Sequence, residues 1–181
     1  KGGRIDDLSL REYFETLEKE KNVVLFSPDK TLESRYANLG WISPDKSVRL
    51  PDRETLWSVK GNRKLTQDNP VTLQWDNGQG LIFERKITID EHYLFNITQK
   101  VLNNSGKPVE LAPYALVSQT GIPRTNHSTW VMHEGPMGYF NGELEQRSFH
   151  DMESEPNEIF QAETGWIGIS DKYWLTALMP E

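Results

Sequence analysis

Val71-Thr72-Leu73-Gln74-Trp75-Asp76-Asn77-Gly78-Gln79-Gly80 is the stretch that decides the fold class. Val71, Leu73 and Trp75 alternate with Thr72 and Gln74, the period of two that a half-buried strand imposes. Asp76 to Gly80 then supplies residues that tolerate positive φ, so the segment reads as a strand running into a hairpin turn. Leu81 to Ile89 is the return strand, with Ile87 and Ile89 on one face and Lys86 and Thr88 on the other. Asp90-Glu91-His92 closes a second turn. Tyr93, Phe95, Ile97 and Val101 against Asn96, Thr98 and Lys100 give a third strand. Asn103-Asn104-Ser105-Gly106-Lys107-Pro108 turns the chain into a fourth, through Val109, Leu111, Ala115 and Val117. The pattern predicts an antiparallel meander. Pro113 has no ladder donor, so the fourth strand is bulged there or lies at a sheet edge.

Outward from this passage the texture stays β-rich. Val23 to Phe26 and Tyr36 to Ile42 are bounded by Ser27-Pro28-Asp29 and Ser43-Pro44-Asp45, and read as strands followed by loops. Thr129 to His133, Leu144 to Phe149, Ile159 to Glu163 and Gly165 to Ile169 offer further short strands. The opening apolar residues Ile5, Leu8, Leu10, Tyr13, Phe14 and Leu17 partly suit a helix face, while Gly2-Gly3 equally suits a strand or bend. Glu143 to Glu158 is the most acidic stretch and reads as a solvated loop or edge. Long sheets without crossover helices predict an all-β fold with little helix, antiparallel sheets packed face to face. With 181 residues, the chain fits a single domain over 1–181.

Composition excludes several functions. The 19 aromatic residues (6 Trp, 6 Tyr, 7 Phe) argue against disorder, because each ring can bury a large apolar area. The longest apolar run, Leu111 to Val117, is far too short for a membrane helix. No apolar region follows Lys1-Gly2-Gly3-Arg4, so no signal peptide is visible; the chain is cytosolic or its targeting part lies elsewhere. Zero cysteines remove disulfides, thiolate nucleophiles and Cys-based zinc sites. A net charge of -7 with singly scattered basic residues lacks the basic face that nucleic acid requires.

Candidates for chemistry are few. No G-x-S-x-G elbow and no phosphate-cradling glycine loop occurs. Four histidines remain, His92, His127, His133 and His150. His127 and His133, six apart, would share a face of an unbroken strand, and Glu134 adjoins the second; together they imitate an acid/base pair or a weak metal site. Asn126-His127-Ser128 is loop-like, however, and Glu134-Gly135-Pro136 breaks the strand, so neither role is assigned. Asp6-Asp7 and Asp90-Glu91 read as solvated turn charges. Trp41, Trp57, Trp75, Trp130, Trp166 and Trp174 could stack on sugars or peptides if exposed in a groove; alternation instead assigns most of them to the core.

The final stretch, Gly165-Trp166-Ile167-Gly168-Ile169-Ser170-Asp171-Lys172-Tyr173-Trp174-Leu175-Thr176-Ala177-Leu178-Met179-Pro180, resembles the Gly-Trp, Asp-Lys-Tyr-Trp, Ala-x-x-Pro signature of the large periplasmic domain in the YidC membrane protein insertase family of Gram-negative bacteria. The Gly2-Gly3 opening with Ile5, Tyr13 and Glu15-Thr16, the patch Tyr36-Ala37 with Gly40-Trp41, and the turn at Asn103 to Pro108 resemble it in the same order. The resemblance spans the chain.

It implies a twisted β-supersandwich similar to the galactose mutarotase family. It also implies a non-catalytic, chaperone-like interaction domain on the periplasmic side of the inner membrane, carried by a multi-pass protein. The partners it implies are the Sec translocon accessory subunits SecD–SecF and nascent membrane proteins. Residues 1–181 would be the greater part of that domain, with flanking strands, C-terminal helices and transmembrane segments outside the chain. Mutarotase chemistry does not follow, since no motif maps its His and Glu onto His127, His133 or Glu134. The reading is therefore no enzyme, no catalytic, cofactor or metal residues, no cofactor, no nucleic acid and no direct membrane binding; the binding surface and oligomeric state stay unassigned. The alternative is a carbohydrate-binding or mutarotase-type protein.

Overall fold

A computed structural model describes residues 1–28, 31, 33–121, 133–154, 157–171 and 173–180. In chain order the elements are β1 (Leu8–Phe14), β2 (Asn22–Phe26), β3 (Arg35–Ile42), β4 (Ser58–Lys60), β5 (Val71–Asp76), β6 (Leu81–Ile89), β7 (Phe95–Asn103), β8 (Ala112–Gln119), β9 (Gly135–Phe140), β10 (Glu143–Gln146), α1 (Asp151–Ser154), β11 (Gly165–Asp171) and β12 (Trp174–Leu178). The fold is all-β, and among the described residues α-helix is confined to one turn. Two compact units form, Lys1–Arg4 with Leu39–Tyr114, and Ile5–Asn38 with Ala115–Glu181. The division falls inside β3 and β8, which are hydrogen-bonded neighbours.

In the first unit the sheet runs β4-β5-β6-β7. The hairpin sequence acts as its chemistry requires: Gly78 N donates to Asp76 Oδ1 at 2.8 Å, and buried Asn77 accepts through Oδ1 from Gln79 N at 2.8 Å and Leu81 N at 3.1 Å. Gly80 has φ of 86°, and a Cβ there would lie 2.9 Å from the Ser105 backbone, so only glycine fits. At the next turn Asp90 Oδ1 accepts from His92 N at 2.8 Å and Leu94 N at 2.9 Å. Those bonds draw the Asp90 carboxyl below its ordinary pKa, the Leu94 amide contributing most. Leu81 and Phe83 of β6 and Trp41 form the core, with Trp57, Trp75, Val101, Val109 and Leu111 packed against it. Phe83 is fully buried between the Trp41 and Trp75 rings, whose centroids lie 5.0 and 5.6 Å away.

The second unit holds the β1-β2 pair and a sheet ordered β10-β9-β11-β12. Leu10, Val23, Phe26 and Ala37 are its buried hydrophobic residues among those described. The open reading of the N-terminal stretch resolves as strand: Leu8–Phe14 is β1, and Gly2-Gly3 bends with positive φ.

Two expectations change. The fourth strand of the meander does not follow β7; β8 pairs with β3, and the fourth strand of that sheet is the short β4 against β5. The strand expected over Thr129 to His133 lies outside the described residues apart from His133, and Gly135-Pro136 begins β9. The proline is accommodated where the ladder to β10 ends: its carbonyl still accepts from Arg147 N at 3.0 Å, and it has no amide hydrogen to return the bond. Ile159 to Glu163 forms no strand; Phe160 instead stacks on Phe140 at 4.6 Å. The acidic stretch does supply an edge, β10. Pro113 likewise lies at an edge, since β8 belongs to a two-stranded sheet.

Candidate functional site

The histidines do not gather. His92, in the turn after β6, leaves 80 % of its side chain in water, and His150, before α1, leaves 90 %. His127 lies outside the described residues, as does Trp130. His133 is half-buried, with Nδ1 2.7 Å from Ser170 Oγ on β11. A hydroxyl beside an imidazole is the start of a nucleophilic dyad, but that chemistry needs a third group to orient the ring. Among the described residues His133 Nε2 is buried without a hydrogen-bond partner, so none of them supplies the orienting third group. Among the described residues no three of His, Asp and Glu come together in a way that could hold a metal ion.

What the second unit does assemble is a polar cleft of about 110 Å³ at the ends of β2, β3, β8 and β11. Arg35 and Asp171 face each other across it as an ion pair, their side chains 11 % and 18 % exposed. Glu33, Gln119 and Thr120 complete the wall, and Gln119 Oε1 is buried there without a hydrogen-bond partner. An ion pair held by two strands fixes the cleft's shape; it offers no aligned acid, base and nucleophile.

Beside it lies the β10-β9-β11-β12 sheet. Directly paired residues share a face, so Leu144, Tyr139 and Trp166 form one row, and Met137, Gly168 and Ala177 the next. Leu144 is 52 % exposed, Tyr139 41 %, and Leu175, which shares the face through Ser170, 47 %. On the opposite face Phe140 stacks on Phe160, Trp174 meets Tyr13 edge-on at 5.2 Å and Thr176 is buried, while Ile167, Phe160 and Tyr13 are themselves partly exposed. Trp166 and Trp174 are therefore half-buried rather than core, whereas Trp41 is buried and Trp57 and Trp75 pack on its cluster.

Sequence reasoning missed Arg85. Its guanidinium is buried in the first unit, where it donates to the Gly3 and Leu39 carbonyls (2.6 Å for the latter) and lies over the Trp57 and Trp41 rings at 5.1 and 5.9 Å. Loss of water pushes its pKa down to about 10. A signal existed: Leu81, Phe83, Arg85 and Ile87 fall on one face by period two, so a charge stands in an apolar row. The residue clamps Gly3 to Leu39 beside the Trp41 and Trp57 rings, a structural role.

The family model described as YidC periplasmic domain matches residues 1–181. Among curated proteins, "Membrane protein insertase YidC" of Bradyrhizobium diazoefficiens is 43 % identical over 183 residues, covering 100 % of this chain and 29 % of the relative. The protein of the same name from Nitrobacter hamburgensis is 42 % identical, covering 100 % and 30 %. That from Zymomonas mobilis is 42 % identical, covering 99 % and 31 %. The chain thus spans about 30 % of the length of the curated relatives it matches.

Proposed function

This chain belongs to the YidC periplasmic domain family, and from that premise we propose that it is a non-catalytic, chaperone-like interaction domain of a membrane protein insertase. It works on the periplasmic side of the inner membrane, carried by a multi-pass protein, and its partners are nascent membrane proteins and the Sec accessory subunits SecD–SecF. Residues 1–181 form the greater part of one such domain, with a β-supersandwich similar to the galactose mutarotases. The observation that carries the reading is the family match over the whole chain. Of the described histidines, His92 and His150 stand in water, and His133 lies 2.7 Å from Ser170 Oγ. Among the described residues no helix is long and apolar enough to cross a membrane.

The test is twofold. Native inner-membrane complexes retained on the immobilised protein should contain SecD–SecF, identified by mass spectrometry, and their absence counts against the partner. Mutarotation of glucose should stay at the buffer rate; turnover that His133→Ala abolishes would establish the sugar-active alternative.

A further inference from the structure

We infer that Asn141, in the turn between β9 and β10, is a site of spontaneous covalent modification, at which water replaces the side-chain amide and leaves aspartate or isoaspartate. The inference stands apart from the interaction-domain reading above. The chain contains two Asn-Gly pairs, Asn77-Gly78 and Asn141-Gly142. Asparagine is chemically labile, most so before glycine, which has no Cβ to shield its nitrogen. Both pairs therefore start with the same reactivity, and the fold decides between them. In the reaction the glycine nitrogen gives its proton to a solvent base and attacks the asparagine Cγ. The N–Cγ bond forms, the Cγ–Nδ2 bond breaks, and Nδ2 leaves as ammonia with a proton from water. Water then opens the five-membered imide at one carbonyl or the other, which gives aspartate or isoaspartate without any change of oxidation state.

Asn77 is barred from this path. It is 2 % exposed, and Nδ2, the leaving group, donates to Arg49 O at 3.0 Å and Gln79 Oε1 at 3.2 Å. The attacking atom, Gly78 N, donates to Asp76 Oδ1 at 2.8 Å, and a carboxylate acceptor keeps that proton in place. Asn141 is exposed, and among the described residues Gly142 N has no acceptor. A Cβ on Gly142 would meet nothing within 4 Å, so water and base reach the turn freely. The tether on the Asn141 side chain is light: Oδ1 accepts from Glu163 N at 3.1 Å and Thr164 N at 3.5 Å, both at the surface. Its turn leads into β10, a four-residue edge strand that opens at low cost. The two products differ in consequence. With φ of 51° and 102°, Asn141 and Gly142 form the two-residue turn that pairs Phe140 with Glu143. Isoaspartate routes the main chain through the side-chain carbons and adds one backbone atom to that turn, so Phe140 and Glu143 lose register and β10 frays. Aspartate keeps the acceptor for Glu163 N and the strand stays paired.

The test holds the intact protein in mildly alkaline buffer at physiological temperature and follows both Asn-Gly peptides by mass spectrometry of timed digests. Free peptides of the two sequences and the protein unfolded in urea run alongside. The expected result is conversion of Asn141 at least about tenfold faster than Asn77 in the folded protein, because each bond that must break first thins the reacting population severalfold. In urea and in the free peptides the two rates should converge. Hydrogen exchange of the isoaspartate form should quicken in Glu143–Gln146, while Asn141→Asp leaves that strand as it was. An Asn141 that stays intact in the folded protein while its free peptide converts overturns the inference. So does an Asn77 that keeps pace with it in the folded protein, or a difference between the two that persists in urea.

Discussion

The two units solve the same problem differently. The first carries 9 acidic and 12 basic residues and closes Trp41, Leu81 and Phe83 into a ring-lined core, with a guanidinium sealed beneath it. The second carries 18 acidic and 8 basic residues, and it supplies eleven of the seventeen exposed large hydrophobic residues among those described. Singly exposed apolar side chains are ordinary on a protein surface, so the contrast lies in charge and closure. The comparison separates a ring-lined core with a buried cation from a more acidic, more open unit.

Substitutions break or sharpen this contrast in a predictable order. Phe83→Ala, which opens a cavity between two tryptophans, should cost about 3–5 kcal/mol in urea unfolding. Arg85→Met should cost about 2–4 kcal/mol, because the Gly3 and Leu39 carbonyls lose their donor inside the protein. Its pH signature is distinctive. The folded pKa, about 10, lies below the ordinary arginine value, so below pH 10 both states are charged and the desolvation penalty is constant. Above that pH the native state sheds its proton first, and the penalty is relieved. The gap in stability between the parent protein and Arg85→Met should therefore widen between pH 10 and the unfolded arginine pKa; a constant gap would refute a buried cation. Asp171→Asn, which leaves the largely buried Arg35 guanidinium without its counter-charge, should cost about 1–3 kcal/mol. Leu144→Ser should move stability by no more than about 0.5 kcal/mol, as a solvent-facing position does.

Much of the frame was readable from sequence because local chemistry dictates it. Asp76, Asn77, Gly78 and Gly80 can close only a tight turn, and Val71 to Trp75 can bury only one face. The partner of β8 was not readable, since neighbouring in sequence is a weak guide to which edge accepts a strand: Ala112–Gln119 joins β3 from far earlier in the chain. Pro136 shows a related limit, because a proline is tolerated where a ladder ends: Arg147 N still donates to its carbonyl at 3.0 Å, and the pairing with β10 closes there. Alternation assigned most of the tryptophans to the core without saying which; Trp41 is buried, while register sets Trp166 beside Tyr139 and Trp174 meets the Tyr13 ring. No sequence motif marks the row of Leu144, Tyr139 and Trp166, which exists only once β10, β9 and β11 set them side by side.

Hydrogen–deuterium exchange on the protein tests the contrast between the units most directly. The account predicts the slowest exchange in Leu81–Ile89, flanked on both sides by Val71–Asp76 and Phe95–Asn103, and faster exchange in the edge strand Glu143–Gln146. Exchange in Glu143–Gln146 as slow as in Leu81–Ile89 would contradict it.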